Sequence, residues 1–205
     1  MQHVAASVEA WVQQCALLVR SGYVFASTGV IPHPKIPEDI DRKLITLYGA
    51  GVSRSTRVRD KRRGVARVQY LRYQRFFALL ATHGQSPFFE REAGNIKDVR
   101  ESLVRFFGYS ISYRKGRDGR LHSSVRIELR ELRRMKAEYL AHWDRPLSWW
   151  RWRFATFPFE PWAPVVRQAH LLRRAVNRKR KEKNMPEIPK DFVRYVRRSV
   201  KVFEP

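Results

Sequence analysis

A chain of 205 residues with 42 Lys and Arg against 19 Asp and Glu carries a formal net charge of +23, and that length suits one compact domain with an appendage. Hydrophobic residues at 43% and aromatic residues at 13% exclude a wholly disordered basic tail, because such tails lack the apolar surface that offsets chain entropy. The longest apolar run, Phe76 to Ala81, is far too short to span a bilayer, and the lone Cys15 excludes an internal disulfide and a cysteine zinc cage.

Val8, Trp11, Val12, Cys15, Leu18 and Val19 recur at helical spacing, so residues 5–20 read as an amphipathic helix ended by Gly22. This segment carries Glu9, Gln13 and Gln14 and no basic residue before Arg20, unlike a secretory signal, and a reducing cytoplasm is the expected compartment. Tyr23 to Ile31 is β-prone and stops at a proline cluster. Residues 39–48 then predict a short helix, with Ile40, Leu44 and Leu47 on one face, an acidic first turn and Gly49 as a stop. Ser53 to Arg63 has only Val58 as an apolar residue and reads as a solvent-facing basic helix or a loop that binding orders.

Val65 to Arg72 and Arg75 to Thr82, bracketed by Gly64 and Gly84, predict an antiparallel hairpin. Val104 to Tyr113 and Leu121 to Leu129 flank Asp118-Gly119, a strong signal for a second hairpin, and a helix is expected from Leu129 to Trp143. The fold class that follows is α+β: one antiparallel sheet of about five short strands with helices on one face, plus a basic, Trp-rich helical C-terminal arm. The expected organisation is an N-terminal amphipathic helix over 1–21, an α+β core over 22–144 and the arm over 145–205.

At the start of the arm and just before it stand Trp143, Trp149, Trp150, Trp152 and Trp162, mixed with Arg145, Arg151 and Arg153 and broken by four prolines. Trp143 and Trp162 are expected to pack, and Trp150 to be exposed. From Val165 a helix is predicted, with Val165, Ala169, Leu172 and Val176 on one stripe and cations elsewhere. The last stretch, residues 191–203, alternates in a way that suits a strand or a frayed helix.

Charge is concentrated in two blocks. Residues 51–75 hold nine basic residues and one acidic, residues 145–205 hold sixteen and five, and residues 1–50 are balanced at four each. A field of that strength calls for a polyanion, and nucleic acid is the common one. Membrane surface ranks lower, because Arg outnumbers Lys and is interleaved with aromatics, as phosphate forks and base stacking require. Arg54, Arg57, Arg59, Lys61, Arg62 and Arg63 form one candidate phosphate-tracking stripe. Trp150, with Arg151 and Arg153 on flanking phosphates, is a candidate stacking site, and Arg173, Arg174, Arg178, Lys179, Arg180 and Lys181 are further candidate contacts.

Sequence motifs for chemistry are sparse. A phosphate-binding glycine loop, G-x-G-x-x-G and paired metal-binding histidines are all missing from the sequence, and VRFFGYSISY lacks the order of an RNA-recognition strand signature. No cofactor and no metal are expected. Glu90, Glu92, Asp98 and Glu101 read as partners of nearby arginines rather than as a magnesium cluster. A strand-nicking site built on His83 and a tyrosine lacks its metal histidines. One constellation has the shape of a catalyst: His122 to take a 2′-hydroxyl proton, Tyr113 to orient, and Lys115 to hold the phosphate. The bland alternative for His122 is a hairpin side chain bonded to water or to Asp118.

The function these features favour is nucleic-acid binding without chemistry, with RNA or another single-stranded or structured strand preferred over duplex DNA. The alternatives are a metal-independent endoribonuclease using His122 and a structural subunit of a ribonucleoprotein.

Overall fold

The computed structural model describes residues 3–116, 118–194 and 202–203, except for the side chains of Arg54, Arg57, Val58 and Lys61. Most of the expected C-terminal strand or helix therefore lies outside the described residues. Two compact units emerge: Met1–Val104 with Ile111–Ser124 and Val200–Pro205, and Arg105–Ser110 with Val125–Ser199.

In the first unit, α1 (Val8–Arg20) starts at Ser7, whose hydroxyl accepts the Ala10 N–H at 3.1 Å and so satisfies one of the free amides of the first turn. The helix buries Trp11, Val12, Cys15, Leu18 and Val19, and burial pushes the Cys15 thiol up to about 12, which leaves it protonated and inert. After β1 (Phe25–Val30), α2 (Pro37–Tyr48) opens on proline with Glu38 and Asp39 in its first turn. It ends at Gly49, whose φ of 60° is the left-handed conformation that suits glycine. Then follow α3 (Arg54–Arg62), β2 (Val68–Tyr73), β3 (Phe76–Ala81), α4 (Pro87–Arg91) and β4 (Lys97–Asp98).

The four strands form an antiparallel sheet in the order β2-β3-β1-β4. Val68 pairs with Ala81 and Tyr70 with Leu79, so these four share a face. There they meet Leu44, Ile45 and Tyr48 of α2 and Phe88 and Phe89 of α4. On the opposite face Trp11 of α1 stands edge-on to Phe76, ring centroids 5.5 Å apart. Helices thus cover both faces of this sheet instead of one. The physical reason is that Leu71, Ala78 and Leu80 are as buried as Tyr70 and Leu79, so neither face tolerates water. A β-carbon at Gly29 of β1 would lie 2.7 Å from the tip of the Phe77 ring, so a larger residue there would have to push that ring aside.

A buried ionic cluster ties the edge strand β2 to α2. Arg72 donates from Nε to both Asp41 oxygens at 2.9 Å and from Nη1 to the Gln74 carbonyl at 2.6 Å, while Tyr70 donates to Asp41 and His3 Nε2 lies 3.0 Å from it. Burial pushes the Asp41 carboxyl up, but the bonds from His3, Tyr70 and Arg72 outweigh it and the net displacement is downward. Its contribution to stability is therefore complete above the unfolded carboxyl value, about pH 4, and is lost as pH falls through the lower folded value. Arg72→Ala should cost about 3–5 kcal/mol, because it leaves a carboxylate buried without its countercharge. Chemical denaturation checks this, and an unchanged midpoint would contradict it.

The remaining strands, β5 (Val104–Phe106), β6 (Tyr109–Lys115) and β7 (Leu121–Ile127), make a second antiparallel sheet in that order. The expected five-stranded sheet is therefore corrected to an α+β fold with sheets of four and three strands. β1 inserts between β3 and β4, and the Asp118-Gly119 hairpin pairs with β5 instead. From Val125 onward the second unit holds α5 (Leu129–Ala141), α6 (Leu147–Ala155), α7 (Ala163–Glu182) and a 3-10 turn at Lys190–Phe192. Its core joins Val165, Ala169, Leu172 and Val176 of α7 to Met135 and Tyr139 of α5 and to Trp150 and Phe154 of α6. Gln168 fixes α7 to the end of β7 by bonding both the N–H and the carbonyl of Ile127, at 2.8 and 3.0 Å. Among the described residues no helix is long and apolar enough to cross a membrane.

Candidate nucleic-acid interface

The first basic block divides by role. Arg72 is committed to Asp41 and Glu38, and Arg75 donates to the carbonyls of Ile31, Pro32 and Lys35. Arg67 is half-buried, with its guanidinium 5.3 Å from the centre of the Tyr23 ring. What reaches solvent is α3 and its end, where Arg59, Arg62 and Arg63 are exposed. The helical alternative for Ser53 to Arg63 is the one adopted. Its Arg54, Arg57 and Lys61 side chains lie outside the described residues.

In the second unit α7 sets the cations. Its buried stripe faces α5, which leaves Arg167, Leu171, Arg174, Arg178 and Lys181 exposed at successive spacings of four, three, four and three. Such spacing lines residues up along one face, here over roughly 21 Å at 1.5 Å per residue. Arg174, Arg178 and Lys181 were candidates from sequence. Arg167 was missed, although the same wheel that exposes Arg174 exposes it seven residues earlier.

Three candidates are corrected. Arg180 is 1% exposed and donates to the carbonyls of Trp143, Arg145 and Pro186, each at 2.7 Å. It is an internal staple, and burial among neutral acceptors holds its pKa below the ordinary arginine value. Trp150 is fully buried, with its ring edge-on to Tyr139 at 5.4 Å and to Trp149 at 4.8 Å, and so presents no surface to a base. Arg153 is bound to Glu138 at 2.9 Å and covers the Tyr139 ring.

Other candidates keep partial commitments. Lys179 sits over the Trp143 ring, 5.2 Å from its centroid, and Arg151 is exposed with its guanidinium over Phe192. Arg173 donates to the Ile188 carbonyl at 2.6 Å. Trp152 is 58% exposed and is the indole of α6 best placed to stack on a base. A feature that composition did not reveal is a clamp on the segment after α7. Arg173, Asn177 and Arg180, on one face of the helix, hold the backbone of Pro186 and Ile188 through four bonds of 2.6 to 3.0 Å, and Asn177 also donates to the Glu187 carboxylate at 3.2 Å.

The His122 constellation does not assemble. His122 Nε2 lies 2.9 and 2.8 Å from the two Asp118 oxygens in an exposed pair, and this bond holds the Asp118 carboxyl below its usual range. The bond from Gly116 N–H to the Arg120 carbonyl, 2.8 Å, sets a register that puts Arg114 opposite His122. A side chain at Gly116 would meet the His122 ring at 2.9 Å, as that register requires. Tyr113 and Lys115 alternate with Arg114 and Gly116 and so face the other way. Elsewhere, Glu92 accepts from Ser27 and Tyr48 while Asp98 pairs with Arg100, and among the described residues no three His, Cys, Asp or Glu side chains gather as metal ligands. His83 stands edge-on to Phe25, centroids 4.7 Å apart.

Comparison with protein-family models, with curated proteins and with solved structures finds no match to this chain.

Proposed function

We propose that this chain binds nucleic acid, RNA or another single-stranded or structured strand in preference to duplex DNA, and that it acts by binding. The observation that carries the reading is the exposed cationic stripe of α7: Arg167, Arg174, Arg178 and Lys181 run along one face of a helix whose other face is held in the core. A rigid helix loses little entropy when its long side chains meet phosphates, and the exposed carboxylate of α7, Glu182, stands at the end of that row and not within it. Arg59, Arg62 and Arg63 in the first unit supply a second set of exposed cations.

Preference for unpaired bases rests on Trp152, which leaves an indole in solvent amid arginines. Fluorescence anisotropy with a labelled oligoribonucleotide and with a DNA duplex of the same length tests it. The single strand should bind at least about tenfold more tightly at matched salt, and Trp152→Ala should weaken it by about 1–3 kcal/mol while leaving duplex binding unchanged. Equal affinity for both would remove the single-strand preference, and no binding to either would remove the function.

A further inference from the structure

Between α7 and the clamped segment after it lies a shallow groove of about 400 Å³, lined by Arg167, His170, Leu171, Arg173, Arg174 and Lys190. We propose that this groove is a phosphate subsite, seating one phosphoryl group of a bound strand; the proposal rests on the nucleic-acid function and deepens it. Four of its six lining residues are cations and none is acidic, so a single carboxylate or halide would leave most of the local charge uncompensated, whereas phosphate oxygens can take several charged donors at once.

Two further observations point to an oxyanion. His170 Nδ1 and Arg173 Nε are buried and have no hydrogen-bond partner among the described residues. Both atoms are shielded as the side chains stand, and a turn of either side chain toward the groove would let a phosphate oxygen supply the bond that a buried polar atom otherwise lacks. The groove is also built before any ligand arrives. Arg173 Nη1 binds the Ile188 carbonyl at 2.6 Å, and Asn177 binds the Ile188 N–H and carbonyl at 2.8 and 3.0 Å. That fixes the chain two residues before Lys190, so the lysine is held beside the α7 arginines without further ordering. Leu171, half-exposed at 51%, is the one apolar side chain among the six, and with the aliphatic stems of the arginines it gives a phosphate-linked sugar a surface to rest on.

The ring resonances of His170 in the full chain, assigned by their loss in His170→Gln, report occupancy. At constant ionic strength, inorganic phosphate should move them saturably, and so should an oligoribonucleotide. A shift given only by a 5′-phosphorylated strand assigns the subsite to a strand end, and a shift given equally by the 5′-hydroxyl strand assigns it to an internal phosphate. The pair Arg174→Ala and Lys190→Ala, which leaves the core untouched, should weaken phosphate at least about tenfold. Leu171→Glu, which sets a carboxylate in the groove without touching the core, should abolish the shift. Resonances that stay fixed under phosphate, or a double variant that binds phosphate like the parent, would overturn the subsite. If strands still bind with a steep salt dependence while His170 stays fixed, the subsite fails and the function stands. If phosphate moves His170 while no strand binds, the function fails and the subsite stands.

Discussion

Trp150→Ala is expected to destabilise the second unit by about 3–5 kcal/mol, the range for deleting a large buried aromatic side chain. Small domains are held by only about 5–15 kcal/mol in total, so this single change should leave the unit near its unfolding threshold. The indole is fully buried among Tyr139, Trp149 and Phe154, at centroid distances of 5.4, 4.8 and 5.9 Å. Its N–H makes no hydrogen bond among the described residues, so Trp150→Phe should restore most of the stability by filling volume alone. Thermal melts followed by circular dichroism measure both. The neighbouring Trp152→Ala should melt like the parent, because that side chain already faces water. A Trp150→Ala protein as stable as the parent but weak on RNA would reverse the assignment and make Trp150 the stacking residue.

The second large effect concerns the α7 stripe. Replacing Arg174, Arg178 and Lys181 together by alanine removes three exposed cations and no buried surface of the α7 stripe. Each phosphate of a single strand that is no longer neutralised flattens the log-log salt dependence by about 0.7, so the triple variant should show a slope shallower by about two units. At 0.1 M salt that corresponds to about a hundredfold weaker binding. Anisotropy titrations at several salt concentrations give both numbers, with the melting curve as the control for folding. The parent slope in the triple variant would place the phosphates elsewhere. Arg59, Arg62 and Arg63 of the first unit are then the next set to remove.

Local patterns in the chain were readable where their cause is local. The β2-β3 hairpin lies between Gly64 and Gly84, the β6-β7 hairpin turns at Asp118-Gly119, and Val165, Ala169, Leu172 and Val176 form the buried stripe of α7. Strand order was not readable, because β1 pairs with β3 about fifty residues away and nothing in either segment encodes that choice. The same holds for the Asp41 cluster, whose members His3, Tyr70 and Arg72 are 29 to 38 residues from it in the chain.

Net charge overstated the number of cations available to a ligand. Arg72, Arg75, Arg153 and Arg180 each serve the fold through carboxylates or carbonyls, and composition counts them with the rest. One of them carried a usable signal. Arg180 falls four residues after Val176, so it extends the buried stripe of α7 into a position where a charge must find internal partners. Trp150 carried a similar one, since it and Phe154 are spaced i, i+4 and so share a helix face that Trp152 does not. The His122 reading failed for a reason set by the pleat: Tyr113 and Lys115 are odd-numbered on a strand whose even-numbered positions face His122.

The most direct test is the affinity of the full chain for a labelled oligoribonucleotide measured across a salt series. Neutralising roughly six to ten phosphates on a single strand predicts a fall in log binding constant of about four to seven units for each tenfold rise in salt. A binding constant that does not change between low and moderate salt would contradict nucleic-acid binding through these cationic surfaces.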